Sequence, residues 1–254
     1  MPRVKCAEVI SLCIPALLLA WTFGLAHPAE RDEQHRGKAV EHARRGDTAA
    51  AIEELKQIRK PSADDHSFRG ELLIQLGRPQ FDNADQAFHQ ALKLDARTSR
   101  ALYGLGLLAM FQKRFAEAEG LFRKALQFVP NAPHPQNGLA GALMYQDKYA
   151  EAEALLVRLE ADPVVSAMAT GNLGELYLRQ GKLDMAETKL KTALARQPNN
   201  FDWHRHLGEV YRLRGQNRAA AVEYRKTLDL LKRSPAADKP LLEEISHRLQ
   251  EVER

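Results

Sequence analysis

Apolar residues recur along most of this chain at the three- and four-residue spacing of amphipathic helices. In one stretch Leu102, Leu105 and Ala109 form a first stripe, and Ala118, Leu121, Phe122 and Ala125 form a second. Short polar or glycine breaks separate such stripes, among them Lys113-Arg114, Gly77, Gly181 and Gly215, and Pro130 and Pro198 stop the helices that precede them. The pattern is itself periodic. Ala118, Ala152, Ala186 and Ala220 lie 34 residues apart, as do Gly106, Ala140, Gly174 and Gly208, each of which follows a leucine. Sixteen residues beyond each of these small residues comes a large one: Phe122, Leu156, Leu190 and Tyr224. Spacings of this kind predict pairs of helices packed face to face, with the small residue where the second helix comes closest.

This unit resembles the tetratricopeptide repeat, whose signature runs W-x2-L-G-x2-Y, then A-x3-F, then P. Leu173-Gly174, Tyr177, Gly181, Ala186, Leu190, Ala193 and Pro198 match it in register, and Leu207-Gly208, Tyr211, Gly215, Ala220 and Tyr224 repeat the match. Residues 63–98 keep Gly70, Gly77, Ala84, Phe88 and Ala91 with about two extra residues near Pro79, and residues 32–62 keep Gly46, Ala51 and Leu55. The signature tryptophan is replaced by Leu102, Gln136, Thr170 and His204. The resemblance implies an all-α, right-handed solenoid of about six helix-turn-helix units, at 32–62, 63–98, 99–132, 133–166, 167–200 and 201–234. A last amphipathic helix over 238–254, with Leu241, Leu242, Ile245, Leu249 and Val252 on one side, is expected to cap it.

Before the repeats, Arg3 and Lys5 precede an uncharged stretch from Val9 to Ala26. A basic start, an apolar middle and a polar exit read as an export signal. Gly24 and Ala26 provide small residues for cleavage, while an uncharged stretch of 18 residues also reaches the lower limit of a membrane anchor. Either way the repeats are expected outside the cytoplasm, periplasmic or otherwise extracytoplasmic, with residues 9–26 as the one route to membrane attachment. Both cysteines, Cys6 and Cys13, fall in this leader, so a product cut after Ala26 would form no disulfide. Leu12 is too bulky for a bacterial lipoprotein motif around Cys13.

Charge and chemistry narrow the function. With 37 Lys and Arg against 33 Asp and Glu, the net charge of +4 is dispersed along the chain and argues against a nucleic-acid partner. The G-x-G-x-x-A run at Gly104 lies within a helical stripe, where a dinucleotide site needs a strand before it. Histidines at 204 and 206 point to different sides of a helix and cannot chelate together. Acid pairs such as Glu117 with Glu119 read as solvated faces beside Lys and Arg. No catalytic residue, metal or cofactor is expected.

In the resembled family the first helix of each unit lines a concave groove, with binding residues at unit positions 2, 5, 9, 12 and 13. Carried over, these are Arg100, Tyr103, Leu107, Met110 and Phe111; His134, Asn137, Gly141, Met144 and Tyr145; Met168, Gly171, Glu175, Leu178 and Arg179; and Asp202, Arg205, Glu209, Arg212 and Leu213. The middle of this set is aromatic and rich in methionine, and its end is rich in arginine. The expected function is a non-enzymatic scaffold, monomeric or weakly oligomeric, that holds an extended peptide or helix of an envelope-assembly protein. Alternatives are a pilotin-like type IV pilus assembly factor and an accessory subunit of a secreted enzyme or of cytochrome assembly.

Overall fold

A computed structural model describes residues 28–233 and 239–254. Residues 9–26, whose pattern reads as an export signal or anchor, and both cysteines lie outside the described residues. Within them the chain forms thirteen α-helices and no strand. Twelve make six antiparallel pairs: α1 (Pro28–Arg44) with α2 (Thr48–Lys56), α3 (Ala63–Gln75) with α4 (Phe81–Leu94), α5 (Ser99–Phe111) with α6 (Phe115–Phe128), α7 (Pro133–Met144) with α8 (Tyr149–Leu159), α9 (Ser166–Arg179) with α10 (Leu183–Arg196), and α11 (Phe201–Leu213) with α12 (Asn217–Arg233). The thirteenth, α13 (Lys239–Glu253), packs on α12. Helix α1 starts four residues before the boundary that the repeat pattern assigns.

The turns inside the pairs share one geometry. Gly46, Gly77, Gly181 and Gly215 have φ between +72° and +88°, and Lys113 and Asp147 take φ of 60° at the same place in the third and fourth pairs. A left-handed residue there lets the next amide reach back to the preceding helix, as from Arg114 to Ala109 (2.8 Å), Lys148 to Leu143 (3.0 Å) and Gln216 to Tyr211 (2.9 Å). In the second pair the extra residues after Gly77 form a short 3-10 turn, Arg78–Gln80, with Pro79 in its first half.

Packing explains the period. A Cβ on Gly106 would lie 2.5 Å from the Phe122 ring, and one on Gly138 would lie 2.8 Å from the same ring. Phe122 is fully buried, so a single phenyl fills the space among α5, α6 and α7. Phe88 stands in the same relation to Gly70 and Gly104, Leu190 to Gly174, and Tyr224 to Gly208. Both glycines of the G-x-G-x-x-A run are thereby accounted for by packing. Each such ring or branched chain contributes roughly 1.5–3 kcal/mol by leaving water. Contacts between successive first helices recur along the chain, from α3 and α5 to α9 and α11, whereas successive second helices make no comparable contacts among the described residues. The stack therefore curves with the first helices inside. At the C-terminal end Ile245 and Val252 of α13 close over Ala221 and Tyr224.

One outer-face expectation needs correcting. Glu119 is not a solvated acid: it accepts from Lys148 Nζ (2.7 Å), Arg123 Nε (2.9 Å) and Gln146 Nε2 (2.8 Å), and its side chain is largely buried. Burial alone would raise its carboxyl, but these three donors outweigh it and hold the group down at about 2. It ties α6 to the following pair, because stacking brings residue 148 beside residue 119.

Candidate binding groove

The inner face has two differently built halves. In the first, α3, α5 and α7 enclose a recess of about 630 Å³ lined by Ile74, Tyr103, Leu107 and Pro135, with Arg100 and His134 at its rim. The Tyr103 ring lies 5.8 Å from Phe122 and 6.0 Å from His134, so it joins the core to the groove. Its burial, together with the charge of Glu71, pushes the phenol up to about 12, which keeps it neutral. Arg100 gives Nε and one terminal amine to Glu71 at 2.6 and 2.5 Å and lies 5.2 Å over the Phe68 ring. Its charge is thus neutralised by its own chain. At the far ends of the first helices Phe111 is 49% exposed and packs 5.1 Å from Phe81. Met110 lies beside Gly141, where a Cβ would be 3.7 Å from its terminal methyl.

The second half is a polar network. Tyr145 stacks on Phe115 at 4.7 Å, and the Arg179 guanidinium lies 4.0 Å from the centre of the same tyrosine ring. The Tyr145 hydroxyl and both Nε and a terminal amine of Arg179 donate to one oxygen of Glu175, at 2.9, 3.0 and 2.9 Å. Burial would raise the Glu175 carboxyl, yet neighbouring charges and donors outweigh it and the net shift is downward. His206 lies 3.8 Å away, and burial lowers the pKa of its ring, while Arg179 and Tyr145 donate directly to Glu175. His206 Nε2 lies 2.8 Å from a terminal amine of Arg205. A guanidinium only donates, so Nε2 accepts and the proton of the neutral ring sits on Nδ1. Arg212 pairs with Glu209 at 2.8 and 2.6 Å, and Tyr224 donates to Glu209 at 2.9 Å. Between the halves, Asn172 donates to the Asn137 side chain at 3.1 Å.

Two sequence assignments change. Met144 is not a groove residue: it is 1% exposed and belongs to the buried cluster that includes Leu143, Ala169 and Leu173. An unbranched side chain in the last turn of α7 can turn inward to fill that space. Gly171 does not leave backbone uncovered, because the Trp203 indole covers it. Trp203 escapes the repeat signature by lying one residue before the signature position at His204. Phe81 and Phe115 escape it too, since they lie outside the five unit positions; Glu71 stands at the ninth position of the unit 63–98, to which those positions are not carried over; and Arg248 and Glu244 escape because α13 reads as a cover only. Among the described residues no three His, Cys, Asp or Glu side chains gather as a metal site, and no helix is long and apolar enough to cross a membrane.

With the geometry in place, the class of protein is defined. A tetratricopeptide repeat model matches residues 69–133 and 172–237, and a second matches residues 109–170. The chain belongs to the tetratricopeptide repeat family. Solved structures repeat the fold: the Cut9–Hcn1 hetero-tetramer of APC/C superposes with a TM-score of 0.74 at 15% identity, covering 94% of this chain and 46% of that one. TTC0263, a thermophilic TPR protein of Thermus thermophilus, gives 0.63 at 22% identity over 74% of this chain and 100% of that one. PilW, a type IV pilus biogenesis factor, gives 0.56 at 23% over 74% and 98%. The chain spans about half the length of the Cut9–Hcn1 chain and of the human IFIT1 chain it also resembles, 54% of the latter. These identities make the likeness one of fold. Among curated proteins none matches. Proteins of this family act as scaffolds that bind protein or peptide partners.

Proposed function

We propose that this chain is a non-enzymatic scaffold that holds an extended peptide or helix of an envelope-assembly protein along its inner face, outside the cytoplasm. The observation that carries this reading is the recess at Tyr103, Leu107, Ile74 and Pro135, an apolar socket whose neighbouring arginine is already neutralised by Glu71. Such a socket favours an aromatic or branched aliphatic side chain over a charged one. One anchor contributes roughly 1.5–3 kcal/mol against an association cost of roughly 4 kcal/mol or more, so the exposed Phe111 has to engage together with the socket. The leader supports export, with residues 9–26 as signal or anchor. Pull-down from envelope extract with residues 27–254 is expected to recover one defined protein, and its recovery is expected to fall with Tyr103→Ala. No defined partner at micromolar concentration would overturn the reading.

The narrower reading, a pilus assembly factor, is supported by repeat number and leader and is decided by the identity of the recovered partner. A pilus secretin subunit would establish it.

A further inference from the structure

Arginines of the inner face follow one rule. Arg36 gives Nε and a terminal amine to Asp65 at 2.9 and 2.8 Å, Arg100 gives them to Glu71 at 2.6 and 2.5 Å, Arg179 to Glu175 at 3.0 and 2.9 Å, and Arg212 to Glu209 at 2.8 and 2.6 Å. That edge of the guanidinium is the one that matches a carboxylate, and in each case a carboxylate of the same chain occupies it. Arg205 breaks the rule. One terminal amine reaches Asp202 at 3.1 Å and His206 Nε2 at 2.8 Å, while its Nε–H is buried without an acceptor among the described residues.

Beside it, Nδ1–H of His206 is also buried without an acceptor there, on a residue only 6% exposed. Both residues line a recess of about 230 Å³ among α9, α11, α12 and α13, with Leu178 and Ile245 as apolar walls and Arg248 on the side of α13. Two of its acids are engaged: Glu175 by Arg179 and Tyr145, Glu209 by Arg212 and Tyr224. Arg248 makes a long contact with Glu251, at 3.4 Å. Two buried N–H groups thus lack an acceptor, a condition that an acceptor from outside relieves.

We infer that this recess is a docking subsite for the carboxylate of an Asp or Glu side chain carried by the partner segment that follows the groove. The inference rests on the groove reading and adds the chemistry of one partner position. The carboxylate completes the Nε edge of Arg205 and displaces Asp202, which is half exposed and free to return to water. Arg248 supplies the second cation from α13, and His206, by accepting from Arg205, fixes the plane of its guanidinium. His206 is a positioning residue. A side chain fits better than a chain terminus because both donor atoms are buried, so the group that meets them has to project inward from the partner's backbone. Glu244 of α13 lines the same recess and competes for the same cations.

The test uses the full-length protein and the Nε–H resonance of Arg205, assigned by its loss in Arg205→Lys. N-acetylglutamate methylamide, N-acetylglutamine methylamide and N-acetylglycine are titrated at constant ionic strength. The glutamate probe is expected to shift this resonance saturably, with affinity about tenfold weaker in Arg248→Gln and tighter in Glu244→Gln. An equal response to the glutamine probe, saturable binding of N-acetylglycine alone, no saturable shift at the solubility limit, or no effect of Arg248→Gln would each overturn the inference. A partner that depends on Tyr103 but binds equally well with its own acids changed to amides would leave the groove reading standing and remove this one.

Discussion

Trp203 of α11 lies directly over Gly171 of α9, so close that a Cβ at residue 171 would come within 2.2 Å of the indole. The indole is 5% exposed and rigid, and it joins the fifth pair to the sixth from the groove side. Gly171→Ala gains about 1 kcal/mol of helix propensity and incurs roughly 1–3 kcal/mol of overpacking, so a net loss of stability is expected. Trp203→Leu costs about 2 kcal/mol or more alone, but in the Gly171→Ala background the cost is expected to shrink because the clash goes with the ring. Urea unfolding of the four proteins of this cycle measures the coupling. A Gly171→Ala protein as stable as the parent would show that the two residues do not touch.

The contrast between Gly171 and Gly174 shows what was legible in the sequence. Gly174 recurs in phase as Gly106, Ala140 and Gly208, because every unit repeats the contact between its own two helices, here with Leu190. A contact repeated from unit to unit writes itself into the sequence as a period. The Gly171–Trp203 contact joins one unit to the next and has no period to reveal it. The arginine pairings follow the same logic. Asp65 lies 29 residues after Arg36 and Glu71 lies 29 before Arg100, offsets that become adjacency only once the units are stacked. The apolar middle of the groove was therefore visible, whereas the neutralisation of its arginines was not. Met144 carries a groove position in the unit but lies in the core, because it sits in the last turn of α7, where burial is decided by neighbouring helices rather than by position.

His204 and His206, two residues apart on α11, are shifted in opposite directions. Glu223 at 2.6 Å raises His204, helped by the Pro198 carbonyl, while burial lowers His206. For His204, whose folded value exceeds the ordinary 6.5, the stabilising charge pair is fully present below that value and is lost as pH rises through the folded pKa. For His206 the sign reverses: stability is intact above the ordinary 6.5 and falls as pH drops from there towards the folded pKa, because the unfolded chain takes up the proton first. The two ring resonances are expected to titrate on opposite sides of 6.5 in NMR spectra. His206→Gln is expected to flatten the acid side of the stability profile and His204→Gln the alkaline side. Coincident midpoints would show that neither environment is as described.

The last prediction separates the groove from the core that carries it. Phe122 is fully buried and Leu105 and Leu139 nearly so, whereas Phe111 is 49% exposed and Tyr103 and Tyr145 are half-buried. Alanine at Phe122 opens a cavity among α5, α6 and α7 and is expected to cost about 3–5 kcal/mol, with Leu105→Ala and Leu139→Ala at about 2–5 kcal/mol. Because units couple chiefly to their neighbours, hydrogen exchange is expected to loosen in the third and fourth pairs first. Phe111→Ala removes little buried surface and is expected to change stability by under about 1 kcal/mol while weakening partner binding by more than about 1 kcal/mol. Tyr103 and Tyr145 stand between these limits: Tyr103 also packs on Phe122, and Tyr145 also holds Glu175, so alanine at each is expected to lower both stability and binding. Tyr145→Phe isolates the second role, since it keeps the stack on Phe115 and removes only the hydroxyl that donates to Glu175. Calorimetry and partner titration on the same set decide the matter. If Phe111→Ala and Tyr103→Ala leave binding intact while lowering the melting point as far as Phe122→Ala does, the aromatic stripe is packing and the partner docks on another face.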